Sequence, residues 1–187
     1  MDIYDTIGSD YALNRSADIG VLDIIKYTKS ISAKSVLDLG CGNGMPIAVN
    51  VEPLVEKYVG VDSSKILLNE FIESVPNAEA LHSKIEKLDL QNRLFDLIFS
   101  FGCLFHLKPK NQCEALKIAA SHVSEDGKLI FTSGIEEGEC NGYVGKYTIP
   151  HWSLGEKKYK ELLESCGLKF EGIEVGAGEN TFFIFSK

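Results

Sequence analysis

Short apolar runs bounded by glycine and polar residues alternate along this chain with stretches whose apolar positions recur at helical spacing. The first run, Ser35-Val36-Leu37-Asp38-Leu39, ends in glycines, as a parallel strand buried on both faces does. Pro46 stands where the first turn of a helix accepts it, ahead of Ile47, Val51, Leu54 and Val55, and Tyr58-Val59-Gly60-Val61-Asp62 gives a second strand. Strand, helix and strand within about thirty residues make a βαβ unit. The alternation continues with a helix near Ser64 to Ser74, a weak strand near Ala78 to His82 and a strong strand at Phe95 to Ser100. A helix at about Lys110 to Val123 follows, with Cys113, Leu116, Ala120 and Val123 at helical spacing, and then a strand at Lys128 to Ser133.

The last third breaks the pattern. Gly134 to Trp152 is polar and aromatic, holds four glycines and shows no clear period, which predicts a lid or substrate insertion over residues 134–152. Ser153-Leu154-Gly155-Glu156 reads as a capping box opening a helix with Tyr159, Leu162, Leu163 and Cys166 on one face, ended by Gly167. Two final strands, near Phe170 to Val175 and Thr181 to Ser186, are close enough to form an antiparallel hairpin. The expected fold is α/β: a doubly wound, mostly parallel seven-stranded sheet with a C-terminal antiparallel hairpin and helices on both faces. One domain is expected over residues 1–187, with residues 1–32 as an N-terminal cap segment.

Composition narrows the function. The chain has 187 residues, 44% hydrophobic and 25% charged, which excludes disordered, collagenous and coiled-coil classes. With 19 Lys and Arg against 27 Asp and Glu, the net charge is −8. No run of Lys and Arg offsets that balance, so the charge argues against a nucleic-acid partner. The five cysteines are widely spaced and form no C-x-x-C pair, which fits a reducing cytoplasm. The N-terminus lacks a signal peptide's basic and apolar regions. The longest uncharged apolar stretch, Leu97 to Leu107, is far short of the roughly 20 residues that span a bilayer, so a cytoplasmic protein without a membrane partner is expected.

Asp38-Leu39-Gly40-Cys41-Gly42-Asn43-Gly44 lies at the carboxyl end of the first strand, where open α/β sheets bind ligands. Glycines there let backbone N–H groups approach a ligand closely, and the following helix points its positive end at anything anionic. A dinucleotide fingerprint G-x-G-x-x-G requires glycine at position 45 or 47, where this chain has Met45 and Ile47. That disfavours a nucleotide-dependent oxidoreductase.

The observed G-x-G-x-G preceded by Asp38 instead resembles motif I of the class I S-adenosylmethionine (SAM)-dependent methyltransferases, a Rossmann-like family. Phe95 to Leu107 is similar to that family's fourth-strand motif, and Asp126-Gly127-Lys128-Leu129-Ile130-Phe131 to the turn into its fifth strand, so the resemblance covers residues 34–134. It implies SAM as cofactor, with S-adenosylhomocysteine as product. It also implies that Asp38, Gly40, Cys41, Gly42 and Gly44 wrap the methionine part and that Asp62, with Ser63 beside it, holds the ribose hydroxyls. One carboxylate accepts both hydroxyl protons; a solvated aspartate capping the next helix is the plainer alternative. Ser100, at the end of the fourth strand, joins the expected cofactor wall. Where many relatives place an acid against the adenine amino group, this chain has Lys84, which cannot accept that bond. Either the backbone near Ile85 holds adenine, or Glu86 substitutes, or the pocket is altered; the first is favoured. Tyr11 and Arg15, in a segment similar to the amphipathic cap of many relatives, are placed to close on the methionine end.

Methyl transfer from a sulfonium is an in-line displacement that needs alignment and exclusion of water, with a general base only where the acceptor must lose a proton. His106, just beyond the fourth strand, is the candidate base; orienting a loop or lining the pocket are its other roles. Phe105, His106, Glu139, Tyr143, Tyr147 and His151 are the candidate acceptor contacts, a mixture that suits a small polar acceptor. The run from Thr132 to Tyr159 also resembles a subgroup of small bacterial methyltransferases. The expected function is methyl transfer to oxygen, nitrogen or sulfur of a small molecule by a monomer or homodimer without a metal. The alternative is a non-catalytic SAM-binding module.

Overall fold

The computed structural model describes residues 20–144 and 147–187, leaving Tyr11 and Arg15 outside the described residues. Helices α1 (Val21–Ser30), α2 (Ile47–Val51), α3 (Lys65–Ser74), α4 (Pro109–Ser121) and α5 (Gly155–Ser165) pack around strands β1 (Ser35–Leu39), β2 (Lys57–Asp62), β3 (Glu79–His82), β4 (Phe95–Ser100), β5 (Val123–Thr132), β8 (Lys169–Val175) and β9 (Thr181–Ser186). These strands form one seven-stranded sheet in the order β3-β2-β1-β4-β5-β9-β8, in which only the pairs involving β9 are antiparallel. The expected doubly wound sheet and C-terminal hairpin are present.

The period-2 pattern of the strands divides the core. Leu37, Val59, Ile98, Leu129, Phe183 and Phe185 face one layer, against Ala115, Leu116 and Ala119 of α4 and Tyr159 and Leu163 of α5. Val36, Tyr58, Leu97, Phe99, Ile130 and Phe182 face the other, against Ile24 of α1, Ala48 and Val51 of α2 and Phe71 of α3. Fully burying a side chain of this size contributes about 1.5–3 kcal/mol, so both faces of each central strand are held to their register. Strand order reverses between β1 and β4, which leaves a crevice at their carboxyl ends.

Two features were not read from the sequence. The aperiodic 134–152 stretch holds regular structure: β6 (Glu137–Val144) and β7 (Tyr147–Leu154) pair antiparallel as a separate two-stranded sheet, with Cys140 opposite His151 and Glu139 opposite Trp152. Of β7 only Ile149 and Leu154 are buried, so the ribbon has almost no core-facing side and leaves no hydrophobic period in the sequence. The capping box is also absent. Ser153 Oγ donates to Gly134 O at 2.6 Å and accepts from Gly155 N at 3.0 Å, and α5 begins without a side-chain cap bond. Among the described residues no helix is long and apolar enough to cross a membrane.

Candidate functional site

The glycine loop is tied to β2 and pressed against the segment after β4. Gly40 N and Cys41 N both donate to Val61 O, at 2.8 and 3.0 Å. Gly40 has φ +88, and a Cβ there would lie 2.3 Å from Cys103 Sγ, so the close approach and the left-handed backbone both demand glycine. Gly42 N donates to Asp62 Oδ2 at 2.9 Å, and Ser64 N to Asp62 Oδ1 at 2.8 Å. Asp62 therefore braces the loop and the start of α3 at once. A carboxylate has two acceptor oxygens, the geometry that a ligand diol requires. Among the described residues nothing lies within 4 Å of where a Cβ on Gly42 would be, so they leave the loop an open face beside that carboxylate.

The surrounding polar groups are committed to holding the strand ends. Asp38 is 4% exposed and accepts from the Tyr58 hydroxyl at 2.8 Å. Ser100 Oγ donates to Leu39 O at 3.0 Å, joining the ends of β4 and β1. Burial pushes the Cys41 thiol well up, with the Asp38 and Asp62 carboxylates adding to it, so Cys41 is no nucleophile. The helix after the loop differs from expectation: α2 has five residues before it gives way to a tighter turn at Glu52–Leu54. Loop N–H groups, not a long helix dipole, define the anion-facing side. Beyond β3, Lys84 is exposed, Ile85 is buried in the core, and Glu86 Oε1 accepts from Asn111 Nδ2 at 3.0 Å. Ser63 O lies 3.0 Å from His82 Nε2.

On the other side of the β4 end, a cleft of about 610 Å³ runs between the β5 terminus and the β6–β7 ribbon, with Phe105, Ser133, Glu136, Glu139, His151 and Trp152 among its walls. The rings of Phe105, His106 and His151 form a triangle, each pair of centroids 4.6 Å apart, with the two imidazoles edge-on at 76°. Phe105 and His151 line the cleft, and His106 packs against both. Burial lowers the His151 pKa and so favours its neutral ring. Gly142 lies under that ring: a Cβ would meet His151 Cε1 at 2.0 Å. The structure thus gathers Phe105, His106, Glu139 and His151. Tyr143, 74% exposed, and Tyr147 are not among the lining side chains. Among the described residues no group of three or more His, Cys, Asp or Glu is placed to hold a metal.

Two residues behind this wall were missed from the sequence. Gln112 of α4, fully buried, donates from Nε2 to Leu107 O and to Trp152 O, both at 2.8 Å, and accepts from the Tyr159 hydroxyl at 2.7 Å. Tyr159 in turn is 2.7 Å from Ser133 Oγ and accepts from Leu154 N at 3.2 Å. Gln112 stands four residues before Leu116, at a core position of the helix, and a polar residue there is the signal that was available.

The Methyltransferase domain family matches residues 36–127. A tRNA U34 carboxymethyltransferase of Photobacterium profundum is 28% identical over 158 residues, covering 77% of this chain and 47% of that protein. A protein of the same name from Pseudomonas aeruginosa is 32% identical over 117 residues, covering 59% of this chain and 35% of that protein. The chain thus spans about half the length, or less, of these relatives. Among solved structures, an S-adenosylmethionine-dependent methyltransferase from Clostridium acetobutylicum superposes with a TM-score of 0.74 at 16% identity, covering 99% of both chains. An amino pentose methyltransferase of calicheamicin biosynthesis from Micromonospora echinaspora gives 0.76 at 12% identity, covering 100% of this chain and 97% of that one. Residues 36–127 thus match the methyltransferase domain family, and the chain has the fold of the class I S-adenosylmethionine-dependent methyltransferases.

Proposed function

We propose that this chain is a SAM-dependent methyltransferase whose acceptor is a small molecule seated in the cleft under the β6–β7 ribbon. The observation that carries the cofactor reading is the Asp62 carboxylate bonded to Gly42 N at the edge of an open glycine loop. That carboxylate has the two acceptor oxygens that a ribose diol needs, and among the described residues the face at Gly42 leaves room for the methionine part. Bound SAM supplies an electrophilic methyl group on a sulfonium. The residues of the chain align: the loop and Asp62 fix the donor end, while Phe105, Trp152 and the ribbon wall the acceptor cleft. His151, kept neutral by burial and lining the cleft, is the proton acceptor for an acceptor that must lose a proton, with His106 behind it.

Charge supports the small-molecule part. Glu136, Glu137, Glu139 and Glu179 line the cleft, and no lysine or arginine is among its described lining residues. A phosphodiester would meet repulsion there, on a chain already at −8. An RNA acceptor is the second reading, favoured by the likeness to the tRNA U34 carboxymethyltransferases. Calorimetric titration with SAM, S-adenosylhomocysteine and NAD tests the cofactor: micromolar binding of the two sulfur ligands without NAD is expected, and no binding of either would refute it. Radiolabelled SAM incubated with the separated small-molecule and RNA fractions of a cell lysate then tests the acceptor. Label confined to RNA would replace the first reading with the second.

A further inference from the structure

Both amide protons of Gln112 are spent on carbonyls that immediately follow the two histidines of the site: Leu107 O after His106, and Trp152 O after His151. The two segments are remote in sequence, one ending the turn Leu104–His106 after β4 and the other running along β7, and their rings meet in the triangle. The other end of the amide is fixed as well. Tyr159 has one hydroxyl proton and spends it on Gln112 Oε1, so Ser133 Oγ must donate to the Tyr159 oxygen. Leu154 N donates to the same oxygen, two residues past Trp152. With both its donors and its acceptor engaged at 0% exposure, the Gln112 side chain has one orientation available.

We infer that Gln112 is a positioning residue of the acceptor site: one amide ties the His106 turn to the His151 strand and thereby sets the Phe105–His106–His151 triangle that walls the cleft. Gly142 completes the setting by leaving the His151 ring the space a Cβ would take. No helix spacing or strand register relates His106 to His151; the amide bridges their two segments, one of its bonds reaching across forty residues of sequence. The inference rests on the methyltransferase reading only for what fills the cleft, since the triangle is a property of the protein alone.

The chain has four histidines, so imidazole ring protons are readily assigned by magnetic resonance. Through-space cross-peaks between the His106 and His151 rings are expected in the wild type and are lost in folded Gln112→Leu. If Gln112→Leu does not fold, Gln112→Glu, which replaces the amide NH2 donor by a carboxyl oxygen while keeping the acceptor for Tyr159, carries the same test. Tyr159→Phe removes the bond to Gln112 Oε1 but leaves both amide donors in place, and it is expected to keep the cross-peaks. Absence of cross-peaks in the wild type, their survival in the Gln112 variants, or equal loss in Tyr159→Phe would overturn the inference. S-adenosylhomocysteine affinity, read on the same samples, is expected to stay within twofold in the Gln112 variants, because the glycine loop is held by β2 and Asp62. A wild type that shows the cross-peaks but binds no S-adenosylhomocysteine refutes the proposed function and leaves the inference standing.

Discussion

Replacing Asp62 with alanine perturbs two things that share one carboxylate. In the protein alone it deletes the bonds from Gly42 N at 2.9 Å and Ser64 N at 2.8 Å. Hydrogen bonds to a charged group contribute about 1.5–3 kcal/mol each. Asp62 is half-buried, so water re-pairs the freed N–H groups in part and the low end applies, about 3 kcal/mol for the two. At roughly 2–4 °C per kcal/mol for a domain of this size, thermal unfolding should fall by about 6–12 °C. In the complex the ribose hydroxyls lose the same carboxylate. One bond of at least about 1.5 kcal/mol then weakens S-adenosylhomocysteine by about tenfold, and a loop no longer braced at Gly42 adds to the loss. Asp62→Asn keeps one acceptor oxygen and loses the charge, so it should fall between wild type and alanine in both measurements. Calorimetry at a temperature where the variants remain folded, with melting followed by circular dichroism, separates the two effects. Folded Asp62→Ala that binds S-adenosylhomocysteine within twofold of wild type would show that this carboxylate is not a ribose contact. An unchanged melting temperature would show that it does not brace the loop.

Gly40→Ala forces a side chain into left-handed backbone and against Cys103, so it should cost about 2–4 kcal/mol in urea unfolding, and adding Cys103→Gly should return the steric part. No recovery in the double variant would place the strain in the backbone alone. Asp96 offers a pH test: burial pushes its pKa up, but the N–H groups of Lys34 and Ser35 and the hydroxyls of Ser124 and Ser35 outweigh that and hold it below the ordinary value. A carboxyl whose folded pKa is depressed gives stability that is present above its unfolded pKa near 3.9 and lost as pH falls through the folded value. The stability gap between wild type and Asp96→Asn should therefore be full at pH 7 and shrink below about pH 4; a gap constant to pH 3 would contradict this assignment.

What the residue order determined by itself is whatever repeats locally. Val36, Leu37, Leu97 and Ile98 form uninterrupted apolar runs because their strands are buried on both faces, and the runs plus helical spacings between them suffice to predict a parallel, doubly wound sheet. The glycine loop and Asp62 were legible for a similar reason: each sits at the end of such a strand, and a strand end in this topology has one place to be. Tertiary structure alone decided the rest. The β6–β7 ribbon, in which only Ile149 and Leu154 of β7 are buried, has pairing but no periodicity to announce it. Ser153 turns its hydroxyl to Gly134, a partner nineteen residues away, so a local capping signature failed against a nonlocal bond. Which histidine lines the cleft, and why the two rings meet, depends on Gln112 reaching carbonyls five residues before it and forty after. Hydrogen bonds of that kind are satisfied only once the helix, the turn and the ribbon have packed, because until then water competes equally for every group involved.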